Sequence, residues 1–321
     1  MSLTKPRAEF KPFLKPKAYD YYRIQNSVHW SADEVSFAKD ISDWNEELTE
    51  SERQVVGQIL KSFTQTETVV NEYWGQKVAR WFPIAEIQMM ASAFSMFESI
   101  HMEAYSRLND ELGLDDYSAF LEDETAVAKL DRLKAVKGNS KSDIARSLAI
   151  FSAFTEGVQL YSSFSILIGL SRFNMLKSMK NIIEWSVRDE SLHSQAGCWL
   201  FREFIAENPE IWTDELKKDI YEAARIAVEL EDNFIDKAFS HGSLRGLDPR
   251  DLKNFIRHRA NMKLQELGLN TNWRNIDQES LKRMDWFDEL VAGTEFSDFF
   301  SSRSTAYAKS NFNEDNLFED K

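Results

Sequence analysis

Apolar residues recur at helical spacing along most of the chain, and the clearest runs are long. Thr49-Glu-Ser-Glu52 has the form of a capping box, in which a hydroxyl and a glutamate three residues on satisfy each other's backbone amides. Val55, Ile59, Leu60 and Phe63 then mark one helix face, predicting a helix that passes Glu67, reaches about Phe82 and stops at Pro83. A second helix is predicted from about Ile84 to Leu112, with Gly113 as its stop. A third spans about Ser142 to Leu170, and its closing Ile166-Leu-Ile-Gly-Leu170 is apolar on every face, as a central element would be. The fourth runs from about Met175 to Ala206, ahead of Pro209. Asp214 to Ser240 and Pro249 to Leu267 supply two more, each opened by an Asp or Pro start signal.

Smaller pieces fill the gaps. A capping-box pattern at Ser31-Ala-Asp-Glu34 predicts a short helix through Phe37, and short helices are expected around Asp116 to Leu121 and Glu124 to Val136, before Gly138. Nothing alternates with period two for long enough to predict a sheet. The fold expected is all-α.

The long runs carry unusual polar residues. In Phe94-Ser-Met-Phe-Glu-Ser-Ile-His-Met-Glu-Ala-Tyr105, Glu98 and His101 stand three apart and so share a helix face with apolar neighbours. A carboxylate there is costly to bury unless it is paired or bound to a metal. Arg188-Asp-Glu-Ser-Leu-His193 repeats the spacing at Glu190 and His193, using two more of the chain's charged core positions and a second of its five histidines. Each motif also follows a lone glutamate at about one helical hairpin's distance: Glu67 lies 31 residues before Glu98, and Glu156 lies 34 before Glu190. Four carboxylates and two histidines on four helices are the ligand set of the ferritin-like dinuclear carboxylate bundle, with additional helices flanking it. Oxygen and imidazole donors suit iron or manganese rather than thiolate-seeking metals. A zinc-protease site would need two histidines four apart on one helix, which is absent here.

Composition narrows the class. The 321 residues are 43% hydrophobic and 13% aromatic, enough for a substantial core. No Pro/Gly/Ser-rich linker divides them, so residues 1–292 read as one helical domain, including an arm over 1–29. The basic, proline-containing stretch from Lys5 to Lys17 reads as an extended surface arm. Residues 293–321 change character: Phe296, Phe299 and Phe300 precede an acidic end in which Leu317 and Phe318 could anchor in a partner's groove. A net charge of −14 argues against nucleic acid as a partner. No apolar run approaches the roughly 18 residues of a membrane span. One cysteine, Cys198, excludes an intramolecular disulfide and a redox dithiol, and together with the lack of a signal-peptide core it predicts a cytoplasmic protein.

These residues resemble the small, radical-generating subunit of class I ribonucleotide reductase. The resemblance runs from Trp30 to the tail and rests on Glu98-Ser-Ile-His-Met-Glu-Ala-Tyr105, on Arg188-Asp-Glu-Ser-Leu-His193, on Glu67 and Glu156, and on Phe299-Phe-x-x-Arg-x-x-x-Tyr307. It implies a pair of metal ions held by Glu67, Glu98, His101, Glu156, Glu190 and His193. It also implies an oxidising equivalent passed to a separate large catalytic subunit that makes deoxyribonucleotides. Trp30, Asp189 and His101 would form the route from metal to surface, Tyr307 would be the relay on the tail, and Tyr105 would occupy the radical tyrosine's place. A homodimer, and docking of the tail on the large subunit, follow from the same resemblance. One departure bears on the metal: members with a stable tyrosyl radical usually have aspartate where this chain has Glu67, and Ser186 adds a hydroxyl one turn before Glu190. That implies two manganese ions holding the equivalent themselves, with di-iron and manganese–iron as the alternatives. The nearest competing expectation is a ferritin-like ligand-binding oxidase, which needs neither Trp30, Asp189, Tyr307 nor a docking tail; a storage bundle would hold many ions per chain.

Overall fold

The computed structural model describes residues 2–114, 116, 127, 138–240 and 242–291, which are helical with no strand among them. α1 spans Pro16–Ser27, α2 Ala38–Glu46, α3 Glu50–Glu72, α4 Ala85–Glu111, α5 Lys141–Leu148, α6 Tyr161–Gly169, α7 Lys177–Glu207, α8 Asp214–Ser240 and α9 Pro249–Glu266. A last helix, α10, covers 278–291. α3 and α4 pack along their lengths, α1 lies against α4 and α7, and α8 pairs with α9 outside the centre. The all-α expectation holds, and so do the bounds of the long runs to within a few residues.

Four expectations need correcting. The N-terminal arm is shorter than expected: residues 5–15 are non-helical and largely exposed, but Pro16, at a position where a missing amide hydrogen is harmless, starts α1, whose Ala18, Tyr21 and Gln25 are buried. Ahead of it, the Glu207 carboxylate accepts from the Ser2 hydroxyl at 2.6 Å and the Leu3 amide at 2.8 Å, so the chain's start is pinned to the end of α7. The capping box at Ser31 is complete, but it opens a single 3-10 turn, Ala32–Glu34, because Val35 returns to extended backbone. The third long helix is broken. After α5 come a π-helical segment, Ala149–Thr155, and a turn over 156–160 before α6 resumes. α10 was not anticipated at all. The short helices expected around 116–121 and 124–136 fall almost wholly outside the described residues.

α7 is fixed from its first turn. Asp40 on α2 accepts from the amides of Ser178 at 3.1 Å and Met179 at 2.7 Å, and Asp43 accepts from Leu176 at 3.1 Å. Anionic caps at a helix start satisfy orphan amides and oppose the helix dipole favourably. α3 begins on the predicted capping box: the Thr49 hydroxyl accepts from the Glu52 amide, and the Glu52 carboxylate accepts from the Thr49 amide at 2.8 Å. Both helices therefore enter the bundle in a set register, and both carry site residues.

Candidate metal centre

α4 and α7 each present a glutamate and a histidine one turn apart, and α3 and the broken third helix each add one glutamate. All six side chains are buried, none more than 1% exposed. They form two overlapping groups. One ligand atom each from Glu67, Glu98, His101 and Glu190 lie within 4.8 Å of one another, and the same is true of Glu98, Glu156, Glu190 and His193. Glu98 and Glu190 thus belong to both. His101 Nδ1 stands 3.2 Å from Glu98, 3.3 Å from Glu190 and 4.0 Å from Glu67, while His193 Nδ1 stands 2.8 Å from Glu98.

Several of these inward-facing atoms have no hydrogen-bond partner, namely Glu67 Oε2, Glu156 Oε2 and Glu190 Oε2, while Glu98 Oε1 and Glu190 Oε1 face only the histidines of the same cluster. Orphaned, fully buried acceptors aimed at a common centre are tolerated where a cation satisfies them. The electrostatics agree. Burial, then the charges of Glu98 and Glu190, hold the Glu67 carboxyl well above its usual range, and burial with Glu190 and Glu98 does the same for Glu156. Glu190 is pushed up to about 6 by burial and by Glu98. Burial opposes ionisation of Glu98 too, but His193 and His101 overcome it and draw that carboxyl below its ordinary value. Four carboxylates in one dry pocket are matched in charge by two divalent cations, and the donor set suits manganese or iron.

The outward faces of the site are tied down. His101 Nε2 meets Asp189 Oδ2 at 3.3 Å, and the same oxygen accepts from Trp30 Nε1 at 2.8 Å. Asp189 Oδ1 accepts from Arg188 at 3.2 Å and from Gln25 Nε2 at 3.0 Å. On the other side His193 Nε2 meets Gln25 Oε1 at 3.1 Å, and Glu156 accepts from Trp74 Nε1 at 2.6 Å. Partners of this kind orient metal-ligating imidazoles and carboxylates. Tyr105 is fully buried with its ring 6.2 Å from that of His101, and burial holds its pKa well above the usual value. Its hydroxyl lies beside that of Ser186, which lowers its pKa somewhat against burial and itself donates to the Ile182 carbonyl at 3.0 Å.

The structure therefore brings together the six predicted ligands, Trp30, Asp189 and Tyr105. Tyr307 lies outside the described residues. Sequence reasoning missed Gln25 and Trp74. Gln25 sits on the apolar face set by Ala18 and Tyr21, a signal hidden once α1 was read as an extended arm.

A helical bundle whose core holds two overlapping carboxylate–histidine tetrads has the donor set of the dinuclear carboxylate metalloproteins. The family model "Ribonucleotide reductase, small chain" matches residues 7–279, and the chain belongs to that family. It is 33% identical, over 98% of its length and 88% of the relative's, to "Probable ribonucleoside-diphosphate reductase small subunit 048L" of Invertebrate iridescent virus 3. It is 26% identical to the "Ribonucleoside-diphosphate reductase subunit beta" of Chlamydia pneumoniae, covering 90% of this chain and 87% of that one. Among solved structures, the ribonucleotide reductase R2 subunit from Clostridium botulinum superposes with a TM-score of 0.78 at 23% identity, covering 86% and 88% of the two chains. Dimanganese(II)-NrdF of Streptococcus sanguinis gives 0.74 at 20%, covering 87% and 99%. These two likenesses bear on the fold. No helix among the described residues is long and apolar enough to cross a membrane.

Proposed function

We propose that this chain is the small subunit of a class I ribonucleoside-diphosphate reductase, generating and storing the oxidising equivalent that a large catalytic subunit uses to make deoxyribonucleotides. The observation that carries the reading is the pair of tetrads sharing Glu98 and Glu190, joined through His101 and Asp189 to Trp30. Glu67, Glu98, His101, Glu156, Glu190 and His193 would hold two metal ions, which when bound supply one-electron redox chemistry inside the bundle. Asp189, held below its ordinary carboxylate range by Arg188 and by its bonds to His101 and Trp30 in spite of burial, keeps an anion between the imidazole and the indole. It thereby orients the His101 ring and holds the Trp30 N–H, making one hydrogen-bonded path out of the site. Trp30 is itself buried and packs 5.2 Å from the ring of Trp185, which is only partly buried. Tyr307 and the tail over 293–321 would continue the path by docking on the large subunit, and the small subunit would act as a homodimer.

The metal pair is proposed to be dimanganese, with the equivalent stored on the ions and Tyr105 kept reduced. Two features support this. Glu67 stands at a position where radical-holding relatives usually have aspartate. The Tyr105 hydroxyl also faces the Ser186 hydroxyl, a poor acceptor for the proton its oxidation would release, and makes no hydrogen bond to a carboxylate among the described residues. Electron paramagnetic resonance of the manganese-activated protein tests it: a mixed-valent manganese signal without a sharp tyrosyl signal is expected, and the reverse pattern overturns it. Trp30→Phe should abolish nucleotide reduction with the large subunit while leaving two ions per chain bound. Truncation just before Tyr307 should do the same.

A further inference from the structure

The two histidines are oriented by different means, and the difference singles out Gln25. His101 Nε2 faces a carboxylate directly, at Asp189. His193 Nε2 faces no acid; it meets the side-chain oxygen of Gln25, a residue 168 positions away and 0% exposed. The amide's direction is forced by chemistry. Asp189 Oδ1 can only accept, so the Gln25 group 3.0 Å from it must be the NH2. The Gln25 oxygen is then the atom turned toward His193, so His193 Nε2 is the donor to it, and Nδ1 is the nitrogen left to offer a lone pair once a cation takes the place of any proton there. That Nδ1 is the atom aimed into the Glu98–Glu156–Glu190 group, 2.8 Å from Glu98.

We infer that Gln25 is a positioning residue for the second metal subsite: its carboxamide relays the acceptor character of Asp189 to His193 and fixes the tautomer in which His193 Nδ1 can bind a cation. Asp189 thus orients both imidazoles, His101 directly and His193 through Gln25, in one chain of hydrogen bonds running His101–Asp189–Gln25–His193. α1, which contributes no ligand, holds the amide there by burying Ala18 and Tyr21 on the same face. The inference rests on the two-metal reading above.

The test is Mn(II) binding to the full-length chain, by anaerobic calorimetry and by manganese anomalous diffraction on crystals given one equivalent of the ion. Wild type should take two ions; failure to do so removes the two-metal reading together with this inference. In Gln25→Met, which keeps the volume and removes both hydrogen bonds, the His193 subsite should weaken about 10–100-fold, the usual effect of losing an outer partner of a ligand. The His101 subsite should change by less than about threefold on the same scale, so that at one equivalent the anomalous density sits in the Glu67–His101 pocket alone. Gln25→Glu, which still offers His193 an acceptor, should restore the second ion to within about threefold of wild type. Equal binding at both subsites in Gln25→Met overturns the inference and leaves the two-metal reading standing. An equal loss in the Met and Glu variants also overturns it, since packing rather than the hydrogen bond would then be responsible. Should Gln25→Met not fold, Gln25→Asn, the same amide one methylene shorter, takes its place with the same two outcomes.

Discussion

The two halves of the site hold the same ligand types on very different backbones. Glu67 sits within the regular helix α3, and its partner His101 is oriented by a buried carboxylate. Glu156 follows a π-helical segment and begins an unwound turn, and its partner His193 is oriented by an amide. The first helix also widens to π geometry, over Tyr73–Val78, but only after its ligand. There it delivers Trp74 to Glu156 across the bundle, and the rings of Tyr73 and Phe151 stack 3.6 Å apart where the two widened segments meet. Widened turns of this sort are frequent at functional sites because they re-aim one side chain without ending the helix. The repeat of lone glutamate and Glu-x-x-His is thus a chemical symmetry, not a structural one: one subsite is built on regular helix, the other on irregular backbone propped from outside.

The largest effect should come from the residues the two halves share. Glu98→Ala or Glu190→Ala removes a donor from both tetrads and should abolish tight binding of both ions. Glu67→Ala and Glu156→Ala should each lose one. Metal content per chain after gel filtration separates these outcomes, and a shared-ligand variant that retained one tightly held ion would break the picture of overlapping subsites.

Next in size is the prop behind the irregular half. Trp74 Nε1 is the hydrogen-bond donor to Glu156, so Trp74→Phe keeps the ring and loses that bond. Affinity of the Glu156–His193 subsite should fall about 10–100-fold with the Glu67–His101 subsite little changed. Equal weakening at both, measured by the same Mn(II) titration, would show that the halves are not separable.

Backbone packing gives the third. A Cβ added at Gly197 would lie 1.8 Å from Ser152 Oγ and 2.4 Å from its Cβ, so α7 and the π segment meet there only because the side chain is absent. Gly197→Ala should destabilise the fold by about 1–3 kcal/mol through overpacking, read from chemical denaturation of the metal-free protein. It should also push Glu156, four residues beyond Ser152, away from His193. Ser152→Gly in the same chain should recover much of the loss, a coupling that two independent sites would not show.

How much of this was legible beforehand follows from what fixes each feature. Glu98, His101, Glu190 and His193 could be paired on paper because a regular helix turns a spacing of three into one face. Glu156 could be named but its setting could not. Around the π turn, Gly157 and Gly197 fit against groups distant in sequence: an added Cβ at Gly157 would lie 2.7 Å from Lys263 Cε and 2.8 Å from Ser194 Oγ, and one at Gly197 1.8 Å from Ser152 Oγ. No local pattern encodes those contacts. Gln25 was hidden for a different reason. Lys5 to Lys17 looks like a proline-rich arm, yet Pro16 is as good a helix start as it is a breaker, and the balance was tipped by burial against α4 and α7 that a one-dimensional pattern does not contain.

The smallest effect concerns the charge the halves have in common. Glu190 titrates near 6 in the folded chain, against an ordinary value of 4.5, because burial and Glu98 disfavour its anion. A carboxyl raised in the folded state binds its proton more tightly there than in the unfolded chain. Its contribution to stability is therefore fully present below pH 4.5 and is lost as the pH climbs through about 6. Carboxyls held low, such as Glu98 and Asp189, have the opposite dependence, but theirs fades only on acidification below their ordinary values, outside this window. The metal-free protein should accordingly melt a few degrees lower at pH 6.5 than at pH 5. With Mn(II) present the slope should reverse, because the ion replaces the proton and binds better as the pH rises. Running the same pair of melts on Glu67→Gln and Glu156→Gln sharpens the comparison. Glu67 and Glu156 are themselves held above their ordinary value and add to this slope, so each substitution should flatten the metal-free slope without abolishing it, and flattening in one alone would place the strain in that half of the site.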